Sequence, residues 1–212
     1  MKKIFPLLFL ICFTSQTFKA QSIFGWNFSL DYNSLNTKFN PADSIKSVAQ
    51  KFAIGKSGGF SLGIPLNIKL ANLVILRPQL VFNVSLGQLD YKLPSGKTTS
   101  TKFPSLNVEV PFQAVISNFS KFHGLALILG LKGGYKLADL SKNQAELFSK
   151  SYGSFDTGLG YRIKIGKKTR MIEMRYSLGL NVFNQKITDA NSLANKFESL
   201  RRNRISFIIN TF

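Results

Sequence analysis

The chain has 212 residues, with 28 Lys and Arg against 10 Asp and Glu, a formal charge of +18. At 44% hydrophobic residues, 20 of them Phe, it is too apolar to be a disordered segment. One Cys excludes an internal disulfide framework and multi-Cys zinc sites, one His excludes any two-imidazole site, and the charge points to nucleic acid or an anionic membrane surface.

The N-terminus reads Met1-Lys2-Lys3, then an almost wholly apolar run from Ile4 to Phe13, then a polar stretch ending at Ala20. This is the basic, apolar and polar order of a secretory leader, with cleavage expected after Ala20. The apolar run is about half the ~20 residues that a spanning helix needs. Cys12 follows Ile11, not the small residue that a lipid-attachment Cys requires. The expected organisation is a signal peptide over 1–20 and one domain over 21–212. An exported chain does not meet nucleic acid, which leaves the membrane surface as the partner for its charge.

From Phe24 onward, apolar and polar residues alternate with a period of two, the mark of strands with two unlike faces. Phe24, Trp26, Phe28, Leu30 and Tyr32 alternate with Asn27, Ser29 and Asp31. A second run from Phe60 to Ile68 follows, then a third from Val74 to Leu86 that carries Arg77 on its polar side. The fourth, Leu106 to Ile116, carries Glu109, and the fifth, Leu125 to Tyr135, carries Lys132. The sixth, Phe155 to Ile163, carries Arg162, and the seventh, Ile172 to Val182, carries Glu173 and Arg175. The eighth is short, Ile205 to Ile209. Connections alternate in length. Ala71-Asn72, Asn118 to Gly124 and Gly166 to Thr169 are short. Asn33 to Gly58, Gly87 to Ser105, Ala138 to Lys150 and Phe183 to Asn203 are long. Short turns at one end and long loops at the other describe a bacterial outer-membrane barrel, with both termini on the periplasmic side.

A soluble β-sandwich or lipocalin-like barrel also alternates, with its apolar face inside. Three features favour the membrane. Strands of about ten residues match a tilted crossing of the hydrocarbon. The apolar face is unbroken, with Trp26, Tyr32, Phe60, Tyr135, Tyr161, Tyr176 and Phe183 toward strand ends as an aromatic girdle. The opposite face carries charge at mid-strand. Lipid tolerates no free sheet edge, so the sheet must close. The expected fold is all-β: an eight-stranded, antiparallel, up-and-down transmembrane barrel. Its polar interior is filled by Arg77, Glu109, Lys132, Arg162, Glu173 and Arg175 as a lumen charge network.

No catalytic constellation emerges, and no cofactor or metal is implied. His123 falls in the turn Asn118 to Gly124, away from any mid-strand acid. Glu109 and Glu173 invite a reading as an acid pair, but the inward cations make salt bridges the better one. Gly130, Gly133, Gly134, Gly158 and Gly160 resemble a phosphate loop only superficially: they lie within strands, where Gly on an inward face makes room for long charged neighbours. Loop cations such as Lys46, Lys97, Lys142 and Lys186 would face lipopolysaccharide phosphates at an outer rim. The stretch Asn184 to Asn203 is expected to hold a short helix and a partner contact.

Three segments carry a family resemblance. Glu109-Val110-Pro111-Phe112 resembles a strand of bacterial outer-membrane β-barrel domain proteins, and Gly130-Leu131-Lys132-Gly133-Gly134-Tyr135 resembles their next strand. The stretch Ser199 to Phe207 resembles their last. Within that group the chain looks most like PorT-type proteins of the type IX secretion and gliding machinery. The resemblance implies a non-enzymatic accessory subunit of a protein-export complex. Its partners would be outer-membrane lipid and lipopolysaccharide, the barrel-assembly machinery and other secretion subunits. A small channel or a loop-mediated adhesin is the alternative.

Overall fold

A computed structural model describes residues 22–39, 56–92, 98–117, 123–139, 151–165, 168–180 and 197–211. The leader expected at 1–20 lies outside them, as do most of the connections. The strands are β1 (Ser22–Phe24), β2 (Trp26–Phe39), β3 (Lys56–Lys69), β4 (Val74–Lys92), β5 (Thr98–Ser117), β6 (His123–Asp139), β7 (Ser151–Ile165), β8 (Lys168–Gly179) and β9 (Phe197–Thr211). Among the described residues there is no helix.

From β2 onward each strand pairs antiparallel with the next in sequence, and β2 pairs with β9 from Trp26↔Thr211 to Phe39↔Phe197. That last ladder closes the sheet. β1 and β2 are one stave, because both pair with β3 in a continuous register, Phe24↔Leu66 before Gly25 and Asn27↔Gly63 after it. The break has a local cause. Pro65, opposite Gly25, has no amide to give the ladder, and only the bond from Gly25 N to Pro65 O remains, at 3.1 Å. Eight staves therefore form a closed barrel. The β3–β4 and β4–β5 ladders also lapse beside Pro78 and Pro111.

Alternation gives the faces. Asn27, Ser29, Asp31 and Asn33 of β2 are buried inside, while Leu30 and Tyr32 are exposed outside. The same holds for Ser61 against Phe60 and Leu62, for Asn83 against Phe82, and for Glu173 and Arg175 against Ile172, Met174 and Tyr176. The large hydrophobics lie outside and the polar residues inside, the reverse of a soluble protein. Apolar side chains do enter the interior at the short-turn end. Val115, Ala126, Ile128 and Met171 pack together there, with Ile75 against them.

Several boundaries differ from those that alternation predicts. The strands run longer than about ten residues, up to Thr98–Ser117 for β5. The connection expected as the long stretch Gly87 to Ser105 shrinks to residues 93–97, because β4 and β5 go on pairing to Lys92↔Thr98. β9 is not short: it starts at Phe197 and pairs through the charged stretch Arg201 to Arg204. The end of the helix expected over Asn184 to Asn203 is therefore strand, and its beginning lies outside the described residues. His123, expected in a turn, is the first residue of β6, opposite Ile163. In each case cross-strand pairing overrides a polar local sequence.

Candidate functional site

The barrel interior is the most highly organised polar region of the molecule, and two carboxylates divide it. Toward the short-turn end Glu173 accepts from both guanidinium nitrogens of Arg77, at 2.5 and 3.0 Å, and from Arg175, at 2.6 and 2.8 Å. Asn210 Nδ2 donates to the same carboxylate at 2.6 Å. Toward the long-loop end Glu109 accepts from Arg204, at 2.9 and 2.7 Å, and from the Tyr152 hydroxyl at 2.5 Å. Lys132 Nζ lies 3.7 Å from Glu109 and 3.5 Å from Asp156, and donates to Ser177 Oγ at 3.0 Å. Asp31 accepts from Ser61 and Asn83 at 2.6 and 2.8 Å.

Gln113 joins the two halves. Its carbonyl oxygen accepts from Arg77 and Gln79, and its amide nitrogen donates to Asp156 at 3.4 Å. Bonded lumen groups of this kind replace the hydration that each charge loses on burial. A polar pocket among them, lined by Asp31, Glu109, Lys132, Asp156, Arg175 and Arg204, has a volume of about 20 Å³. That is room for about one water molecule.

Of the six charged residues picked from the sequence, Arg77, Glu173 and Arg175 meet in one cluster, and Glu109 and Lys132 in the other. Arg162 is buried further toward the short turns, in register with Gly124 and Met171. Glu109 and Glu173 do not form an acid pair, since each is neutralised by its own cations. Four members were missed: Asp31, Asp156, Arg204 and Tyr152. Asp31 and Arg204 sit on the polar side of the alternation, and that was their available signal. Tyr152 precedes the run in which alternation is legible.

The inward glycines belong to this architecture. Gly134 faces Glu109 on one side and Tyr152 on the other, Gly158 faces Arg175, and Gly160 faces Glu173. A Cβ at Gly134 would overlap the Tyr152 ring, and one at Gly158 would lie 2.8 Å from Arg175 Cγ. The glycines thus give the long side chains the space to cross the lumen. Gly130 and Gly158 also bring backbones close. Their Cβ atoms would stand 2.6 Å from the carbonyl oxygens of Phe112 and Met174 respectively. Among the described residues no three His, Cys, Asp or Glu side chains come together as a metal site.

A closed antiparallel barrel with an apolar outer wall and an ion-paired lumen defines an outer-membrane β-barrel protein. Residues 14–184 match the outer membrane protein beta-barrel domain family, and the chain belongs to that family. No curated protein sequence matches it. Among solved structures it is similar to the outer membrane protein OprG from Pseudomonas aeruginosa. The identity is 14% and the TM-score 0.46, over 90% of this chain and 95% of that one. Neisserial surface protein A aligns at 14% identity and a TM-score of 0.44, over 90% and 97% of the two chains. Ail, the attachment invasion locus protein of Yersinia pestis, aligns at 11% and 0.37, over 92% and 100%.

Proposed function

We propose that the protein is a non-enzymatic accessory or structural subunit of a protein-export complex in the outer membrane, of the PorT type found in type IX secretion. The observation that carries this reading is the lumen. Both carboxylate clusters are saturated with internal partners, and apolar side chains close the short-turn end. Among the described residues the lumen leaves neither carboxylate of the two clusters unpaired, and in this reading the work falls to the outer surfaces. Glu109 to Phe112, Gly130 to Tyr135 and Ser199 to Phe207 resemble strands of the barrel family, and within that family the chain looks most like the PorT-type branch. In this reading residues 1–20 are the signal peptide, and the assembly machinery inserts the rest. Lipopolysaccharide and other secretion subunits are the lasting partners.

Copurification from detergent-extracted membranes, joined to a deletion strain, tests the proposal. A stable large complex is expected, with secreted cargo held back in the periplasm of the deletion strain and gliding lost if the host glides. Normal secretion by that strain removes the export role. One feature favours a second reading, a surface-binding protein. Outward of Leu86 and Ser105, β4 and β5 pair only with each other among the described residues, from Gly87↔Phe103 to Lys92↔Thr98. They form a two-stranded ribbon beyond the rim, with backbone edges suited to contacts with other proteins. Normal secretion together with loss of surface adhesion in the deletion strain would select that reading.

A further inference from the structure

The balance of charge in the lumen changes toward the long-loop end. Around Glu109, three carboxylates, those of Glu109, Asp156 and Asp31, face two cations, Arg204 and Lys132. Beyond that layer, the lumen-facing charged residues among the described side chains are Lys136 on β6, which makes an interaction of its own, and Arg202 on β9. Both are cations, each two residues nearer the long-loop end than Gly134 and Arg204 on their strands.

Arg202 is held in place by an aromatic ring. Its guanidinium carbon lies 4.6 Å from the centroid of the Tyr152 ring. That ring is itself fixed: it rests where a Gly134 side chain would be, and its hydroxyl donates to Glu109 at 2.5 Å. Both Tyr152 and Arg202 remain partly exposed. Among the described residues no acidic side chain forms an ion pair with Arg202. A guanidinium stacked on an aromatic ring keeps its planar fork of N–H donors free. Such a fork fits a tetrahedral or planar oxyanion in two parallel bonds. Stacking also removes much of the side-chain entropy that binding would otherwise cost.

We propose that the outer mouth of the lumen binds one oxyanion of the phosphate-monoester class, with Arg202, stacked on Tyr152, as its bidentate anchor. The phosphate can come from a lipopolysaccharide headgroup reaching over the rim or from a soluble phosphate. The test uses the full-length barrel refolded in detergent micelles, its fold verified by heat-modifiable gel mobility. Arginine side-chain NMR follows a titration with inorganic phosphate. A second sample, in phosphatidylcholine vesicles with or without lipopolysaccharide, reports on the lipid source.

A saturable shift of the Arg202 guanidinium signals with inorganic phosphate is expected if the site takes a free anion, and with lipopolysaccharide alone if it takes a headgroup. Arg202→Gln should weaken the effective ligand about tenfold or more. Tyr152→Leu keeps the charge but removes its platform, and should weaken binding roughly two- to fivefold. Should Arg202→Gln fail to fold, Tyr152→Leu alone decides. No saturable shift from either source, or unchanged affinity in the folded variants, overturns the site.

Discussion

Glu173 shows how much rests on single side chains in this lumen. It lies between the buried guanidiniums of Arg77 and Arg175 and also accepts from Asn210. Glu173→Gln keeps the shape but leaves two buried cations without their carboxylate, a loss of about 3–5 kcal/mol. A lower urea midpoint for the refolded barrel is the expected result, and an unchanged midpoint would show that water already screens these charges. Adding Arg77→Met to Glu173→Gln should recover part of the loss, since the double variant removes one stranded cation. That Glu173 faces inward was legible from its place opposite Ile172 and Met174 in the alternation. Its partnership with Arg77, 96 residues earlier, was not, because contacts across a lumen depend on stagger between staves that the period of one strand does not encode. The same limit explains why Arg204, 95 residues from Glu109, was missing from the predicted network.

At the level of the strand, β6 carries two contrasting tests. Gly133 is exposed on the outer face, and a Cβ there would meet nothing within 4 Å. Gly133→Ala should therefore be neutral or slightly stabilising, through the narrower unfolded ensemble. Gly130→Ala would place its Cβ 2.6 Å from Phe112 O and 2.7 Å from Gln113 Cγ, so β5 or β6 must shift and the barrel should lose stability. Sequence alone gives Gly130 a milder role, as space for charged neighbours, because a close backbone approach leaves no mark in the composition of one strand. Urea unfolding of the two variants measured side by side separates these outcomes. The faces are tested by Leu131→Arg, which puts a charge against lipid and should cost about 2–4 kcal/mol if it lies near the midplane. Ser177→Ala inside the lumen gives up one bond from Lys132 and should cost about 1 kcal/mol. Equal losses would contradict the assignment of faces. Strand identity and facing were legible because lipid outside and polar groups inside impose a strict period of two. Strand ends were not, since β4, β5 and β9 continue through Gln, Thr, Lys and Arg that read locally as loop.

For the molecule as a whole, closure and filling together forecast electrical silence. The β2–β9 ladder seals the wall, so ions have no lateral way around the interior. Inside, an ion would first meet the Glu109 and Glu173 clusters, whose hydrogen bonds it would have to displace at the cost of stranding buried charges. It would then meet Val115, Ala126, Ile128 and Met171, which give it no ligands at all. The polar pocket between these barriers has room for about one water, too little for a hydrated ion. The purified barrel should therefore show no stable conductance steps in planar bilayers. Opening the apolar end alone, with Ile128→Ser and Met171→Ser, should not create them, because the Arg77–Glu173–Arg175 cluster still spans the lumen next to it. Large, long-lived steps from the native chain would mean that the ion-paired interior rearranges in the bilayer, and would move the protein from the scaffold reading to that of a channel.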